Sequence, residues 1–326
     1  MRAGNEPRPK PGVRVTVPAS TANLGPGFDV LGLALDLVNT FDVWEIGTEH
    51  RIEVTGEGRG TVPVDDSNLF LRSMRRFFQL GDYQPGGLLI REQNRIPLAR
   101  GLGSSASTIV GALLAARQLS GHRVDDERLL DLAASLEGHP DNTAAAFHGG
   151  LQLALRDDEG HLTARSLRWP KRLSAALFVP ELLVTTEAAR AALPDDYSRA
   201  DVVHNLGRLA LLLSAVEEGR LEDLNLATQD RLHQPYRAGL VPGLAEILTA
   251  ATEAGAAGAF LSGAGPTILA LHDREVSGRG PGIARAMERA AAGFGLAGRT
   301  MVLDIREDGA RCVRLPEHPS QVALVT

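Results

Sequence analysis

Residues 97–106 read P-L-A-R-G-L-G-S-S-A and combine backbone freedom with hydroxyl groups. Gly101 and Gly103 let the main chain approach a ligand closely. Ser104 and Ser105 stand where the first N–H groups of a helix have no intrahelical partner. A helix start of this kind holds phosphate through its amides and its dipole. The run contains no lysine and lacks the G-x-x-x-x-G-K-[ST] and dinucleotide spacings. It therefore points to a phosphate-bearing ligand without saying which. Taken alone, it is also satisfied by a glycine-rich turn capped by Ser104.

Three further clusters carry groups capable of chemistry. They are A-S-T-A-N-L-G-P-G-F-D over 19–29, E-G-H-P-D-N over 137–142 and L-S-G-A-G-P-T over 261–267. The second supplies two carboxylates, Glu137 and Asp141, around His139. Glu137 reads as the end of a helix, the wrong pole of the dipole for an anion, and a nearby cation explains that placement better. Singly, the residues are weaker signals: Asp29 could close a turn, His139 could end a helix, and Arg190 and Arg237 could be surface arginines. His204 and His233 show no metal-ligand spacing and read as structural.

The elements that must position these groups follow from periodicity. Val13, Val15 and Val17 alternate with polar residues as in a half-buried strand, which Pro18 closes before a polar loop over 19–29. Strands are expected over 41–46, 50–54, 151–155, 175–179, 260–262 and 268–271. A helix over 69–80 takes Asp66 or Ser67 as its cap. Ala106, Ile109, Val110, Leu113 and Leu114 form one apolar helical face, which Gly121 ends. Asp125 caps a helix reaching Glu137. Further helices follow Thr186, span 202–218 and flank the apolar run at 254–271. Strands and helices mixed without strict alternation favour α+β over a doubly wound sheet.

Bulk composition narrows the function classes. The 326 residues are 44% apolar and 23% charged, as in an ordinary globular protein of one large or two smaller domains. A net charge of −6 with no basic stripe argues against nucleic-acid binding. Residues 1–12 lack the apolar core of a secretory signal and read as a frayed arm. The run at 254–271 carries four glycines and Pro266, which fits a helix end, a loop and a strand rather than a membrane span. Cys312 is the single cysteine, so no internal disulfide forms, which suits a reducing, cytoplasmic setting.

Together the four motifs resemble the GHMP kinase superfamily over nearly the full chain, and the first two clusters after the loop resemble its homoserine kinase family most. That resemblance implies an α+β, two-domain GHMP kinase fold. A ribosomal-protein-like α/β ATP-binding domain would span 1–156 and a ferredoxin-like α+β domain 157–326. It implies that Pro97, Leu98, Ala99, Arg100, Gly101, Leu102, Gly103, Ser104, Ser105 and Ala106 wrap the phosphates of ATP. Asn68 would approach adenine, Gly263 would support the loop, and Glu137 with Ser105 would hold Mg²⁺. Asn23, Asp29, His139, Thr186, Arg190 and Arg237 would bind L-homoserine. Asp29 would face its ammonium and the two arginines its carboxylate, which the guanidinium fork suits. Asp141, with Asn23, would act at the attacking hydroxyl. The expected product is O-phospho-L-homoserine, on the way to threonine, made by a cytoplasmic homodimer. Alternatives are a superfamily kinase acting on mevalonate, a sugar or shikimate, and a non-catalytic nucleotide-binding sensor.

Overall fold

The computed structural model describes residues 11–317, so the expected N-terminal arm lies almost wholly outside the described residues. The alternating valines open β1 (Gly12–Asn23), which pairs antiparallel with the long β2 (Gly27–Ile46). The strand does not stop at Pro18. A register shift between Pro18 and Ala19 accommodates the proline, whose missing N–H a bulge tolerates, and residues 19–23 continue as buried strand. These polar residues belong in a strand because distant side chains satisfy them: Ser20 donates to Asn142, and the Thr21 hydroxyl hydrogen-bonds that of Ser262.

β2 is long enough to serve two partners. Its second half pairs with β4 (Gly87–Asn94) and Leu31–Leu33 pair with β5 (Leu151–Arg156). The complete seven-stranded sheet adds β3 (Arg51–Gly56) parallel to β4, β6 (Leu162–Leu167) beside β5, and β11 (Arg311–Leu315) beside β1. Helices α1 (Leu69–Phe78), α2 (Ser104–Ser120), α3 (Asp126–Glu137) and α4 (Asp141–His148) pack with this sheet. The capping signals at Asp125 and Gly121 act as expected, and Gly138 closes α3 in a left-handed conformation. The apolar stripe of α2 is wider than one face: Ala112, Ala115 and Ala116 are buried as well, because α2 runs between β1 and its neighbouring helices. Phe41 stacks on Phe70 at 4.7 Å in this core. Burying each such side chain contributes about 1.5–3 kcal/mol.

The second sheet has the order β10-β7-β9-β8, from β7 (Leu173–Pro180), β8 (Gly258–Leu261), β9 (Ile268–Asp273) and β10 (Gly298–Leu303). Between β7 and β8 run α5 (Thr186–Ala191), α6 (Arg199–Glu218), α7 (Leu224–Ala227), α8 (Gln234–Arg237) and α9 (Leu244–Glu253). α10 (Arg279–Ala292) joins β9 to β10. All pairings here are antiparallel, and the order is that of a ferredoxin-like unit. Strands β6, β10 and β11 carry no clean alternation in sequence. Their mixed, partly exposed faces are strands because of the partners they meet.

The chain crosses between the two sheets more than once. The expected boundary at 156/157 falls in the β5–β6 turn, with both strands in the first sheet, and β11 returns to β1 after the second sheet is complete. One apolar cluster joins Leu31, Leu33 and Leu35 of β2 to Leu177, Leu212, Phe260 and Leu269 of the second half. No helix among the described residues is long and apolar enough to cross a membrane. The apolar run at 254–271 is β8, a turn and β9.

Candidate active site

A cleft of about 430 Å³ opens where the two halves meet, and it gathers the four motifs. Of the residues expected to contact ATP, metal or amino acid, only Pro97 and Ala106 do not line it. Pro97 faces a separate depression beside Val179 and Arg299, and Ala106 is buried in the first turn of α2.

At one end, α2 starts at Ser104 behind Gly103, whose φ of 67° is left-handed, and no side chain caps it. The first-turn N–H groups are therefore left for an anion. Gly103 is pressed against Ser20 Oγ and Gly101 against the carbonyl of Ser262, where a Cβ would collide. Only glycine passes both constraints of space and positive φ. Ser262 Oγ donates to the Gly101 carbonyl at 2.6 Å, so the third cluster buttresses the loop. Arg100 lines the cleft, but its guanidinium is committed to β7. Its Nε and Nη2 donate to the carbonyls of Pro180 and Glu181, both at 2.7 Å, stapling the loop to the end of β7.

Asn68, rather than Asp66 or Ser67, caps α1: its Oδ1 accepts from the Leu71 N–H at 2.9 Å. Its Nδ2 donates to the Pro63 carbonyl at 2.9 Å and to Glu92 Oε1 at 2.8 Å. Both amide hydrogens are thus spent, and the residue is 1% exposed. Burial pushes the Glu92 carboxyl above the ordinary range, against the hydrogen bonds from Asn68 and Asn94.

In the middle, Ser105 Oγ donates to Glu137 Oε1 at 2.5 Å. Burial raises the Glu137 pKa more than the Ser105 hydrogen bond and the charge of His139 lower it. A carboxylate and a hydroxyl side by side, beside an anion-binding helix start, are the donors a hard cation prefers. Asp141 is 1% exposed, and its Oδ1 meets His139 Nδ1 at 2.5 Å and the Asn142 N–H at 2.6 Å. Burial alone would lower the His139 pKa, but the Asp141 hydrogen bond and the nearby carboxylates outweigh it and raise it.

At the far end, charged side chains interlock. Arg190 on α5 grips Asp29 with both Nη atoms, at 2.9 and 3.0 Å. Asn23 Oδ1 accepts from the Asp29 N–H at 3.1 Å, and its Nδ2 donates to the Gly263 carbonyl at 3.1 Å. Asn23, Leu24 and Asp29 all have positive φ, strain that is typical of functional turns. Arg237 is 3% exposed and donates to the Ala189 and Gly263 carbonyls at 3.1 and 3.0 Å. Burial lowers its pKa from the ordinary arginine value, against the pull of Asp29. Phe28 lies under both guanidinium groups, 5.3 Å from Arg237 and 5.9 Å from Arg190. Thr186 is exposed at the start of α5 on the cleft wall.

Sequence reasoning passes over Ser20 and Phe28 as individual residues although they lie inside the quoted motifs. Glu92 and His233 have no local signal at all. Cys312 lies on β11 outside the cleft lining, with burial pushing its thiol up to about 11.

Two family models match the chain: GHMP kinases N terminal domain over residues 68–150 and GHMP kinases C terminal over residues 212–292. The chain belongs to the GHMP kinases. A homoserine kinase from Synechococcus sp. is 42% identical over 92% of this chain and 97% of its own length. One from Caldanaerobacter subterraneus is 44% identical over 93% and 96%. Within the GHMP kinases, the chain thus falls in the homoserine kinase family. The crystal structure of homoserine kinase from Cytophaga hutchinsonii superposes with a TM-score of 0.83 at 29% identity, covering 93% of this chain and 98% of that one.

Proposed function

We propose that this protein transfers the γ-phosphoryl group of ATP to the side-chain hydroxyl of L-homoserine, giving ADP and O-phospho-L-homoserine. The observation that carries this reading is one cleft holding an uncapped helix start, the Ser105–Glu137 oxygen pair, a buried carboxylate and a set of opposite charges sized for a zwitterion. Phosphoryl transfer depends on positioning and charge stabilisation more than on covalent work by the protein. The amides of α2 hold the phosphates. Ser105 and Glu137 would hold Mg²⁺, which when bound neutralises phosphate charge. Asp29 takes the ammonium, and Arg190 and Arg237 take the carboxylate. In the structure Asp29 and Arg190 neutralise each other, and an amino acid exchanges that one pair for two of its own. Asp141 receives the hydroxyl proton, with His139 fixing its orientation through the 2.5 Å contact. Asn23 acts by shaping the Asp29 turn.

ADP release from MgATP, measured against L-homoserine, mevalonate, galactose, shikimate and no acceptor, tests the reading. Turnover confined to L-homoserine is expected, because the other acceptors lack the ammonium that Asp29 requires. Turnover on mevalonate alone would overturn it, and an absence of acceptor-dependent turnover would leave a nucleotide sensor. The homodimer and the cytoplasmic setting belong to the same reading, and sedimentation of the purified protein tests the first.

A further inference from the structure

His233 reads as structural in sequence, yet in the fold it touches both ends of the amino-acid subsite. It is fully buried immediately before α8. Its Nε2 lies 2.8 Å from the carbonyl of Gly25, in the turn that leads to Asp29. Its Nδ1 lies 3.2 Å from Nη1 of Arg237. Its ring stacks on Phe28 at a centroid distance of 5.4 Å.

The two contacts fix the tautomer. A carbonyl only accepts, so Nε2 carries the proton. A guanidinium only donates, so Nδ1 presents its lone pair. Both demands hold together in the neutral Nε2–H form alone. Arg237 has five N–H groups; Nε is spent on Ala189, and Nη1 on His233 and Gly263. The pair on Nη2 remains for a ligand in the cleft that Arg237 lines.

The geometry points to His233 as a positioning residue for substrate carboxylate recognition: a neutral imidazole that tethers the Gly25 turn and aims Arg237. Burial also lowers the His233 pKa, which keeps the ring neutral between the charges of Asp230, Arg237 and Asp29. The inference rests on the amino-acid kinase reading above.

Two substitutions separate the two contacts. His233→Asn retains an acceptor near Nδ1 for Arg237, and His233→Gln retains a donor near Nε2 for Gly25. The lost bond is one to a charged group, so His233→Gln should raise KM for L-homoserine by about tenfold or more, with KM for ATP within about twofold. His233→Asn should stay within about threefold of the wild-type KM for L-homoserine. Equal rises in both variants, no rise in His233→Gln, or a parallel rise in KM for ATP would overturn the inference. Nitrogen NMR of the histidine-labelled wild-type protein tests it independently of how the variants fold. A protonated Nε2 with a bare Nδ1 is expected, and a protonated Nδ1 refutes it. Wild-type protein without homoserine-dependent turnover refutes the kinase reading together with this one. Normal wild-type turnover without the KM split refutes this one alone.

Discussion

The two ends of the cleft are built by opposite means. The phosphate end is mostly backbone from one contiguous segment: two glycines, a turn and the first amides of α2. The amino-acid end is mostly side chain, assembled from β1–β2, α5, α8 and the Gly263 turn, which are separated by up to 240 residues. Backbone donors are nearly insensitive to side-chain identity except where a Cβ would intrude. Side-chain charges are sensitive to each member and to what aims it. On the proposed function, the first end would serve any nucleotide kinase of this fold, whereas the second would select the acceptor.

Substitutions can break or sharpen that contrast. The largest effect should come from Asp141→Asn, between the two ends. Loss of a general base costs about 10² to 10⁴-fold in kcat, with binding of both substrates retained. A loss below about tenfold in single-turnover assays would reduce Asp141 to an orienting group. Next, Arg190→Leu should raise KM for L-homoserine by about ten- to a hundredfold, the worth of charge-assisted bonds, while ATP affinity stays level. Equal losses for both substrates would erase the division between the ends. Gly101→Ala should do the reverse. It strains a φ of +72° and drives a Cβ into the Ser262 carbonyl, so stability should fall by about 1–3 kcal/mol and KM for ATP should rise before that for L-homoserine.

The smallest effect concerns pH. The folded-state pKa of His139 is raised above its ordinary 6.5. Its contribution to stability is thus complete below that value and is lost as pH rises through the folded value. The stability difference between wild type and His139→Gln, measured by denaturant unfolding, should shrink as pH is taken from roughly 6 to 9. A difference that grows over this range would place the proton elsewhere.

Legibility in the sequence follows the same contrast. The loop over 97–106, the caps at Asp125, Gly121 and Gly138, and the strands β5, β7, β8 and β9 depend on residues close in the chain, so local patterns reveal them. Residues 19–23 do not read as strand, because buried Ser20 and Thr21 need Asn142 and Ser262, more than a hundred residues away. Arg100 was expected at the phosphates for its place in the motif, and only the fold shows its guanidinium committed to Pro180 and Glu181. Asn68 likewise carries the helix cap that local sequence assigns to Asp66 or Ser67.

What the sequence determined by itself is the set of chemical groups and the local geometry of the phosphate loop, since turn and helix-start preferences act within a few residues. The tertiary structure alone decided that Asp29 and Arg190 pair, that Phe28 underlies both arginines and that neutral His233 sits between Gly25 and Arg237. Those relations arise only when two sheets close on a shared core. Buried polar groups then take whichever partners packing brings within reach, because leaving them unpaired costs more.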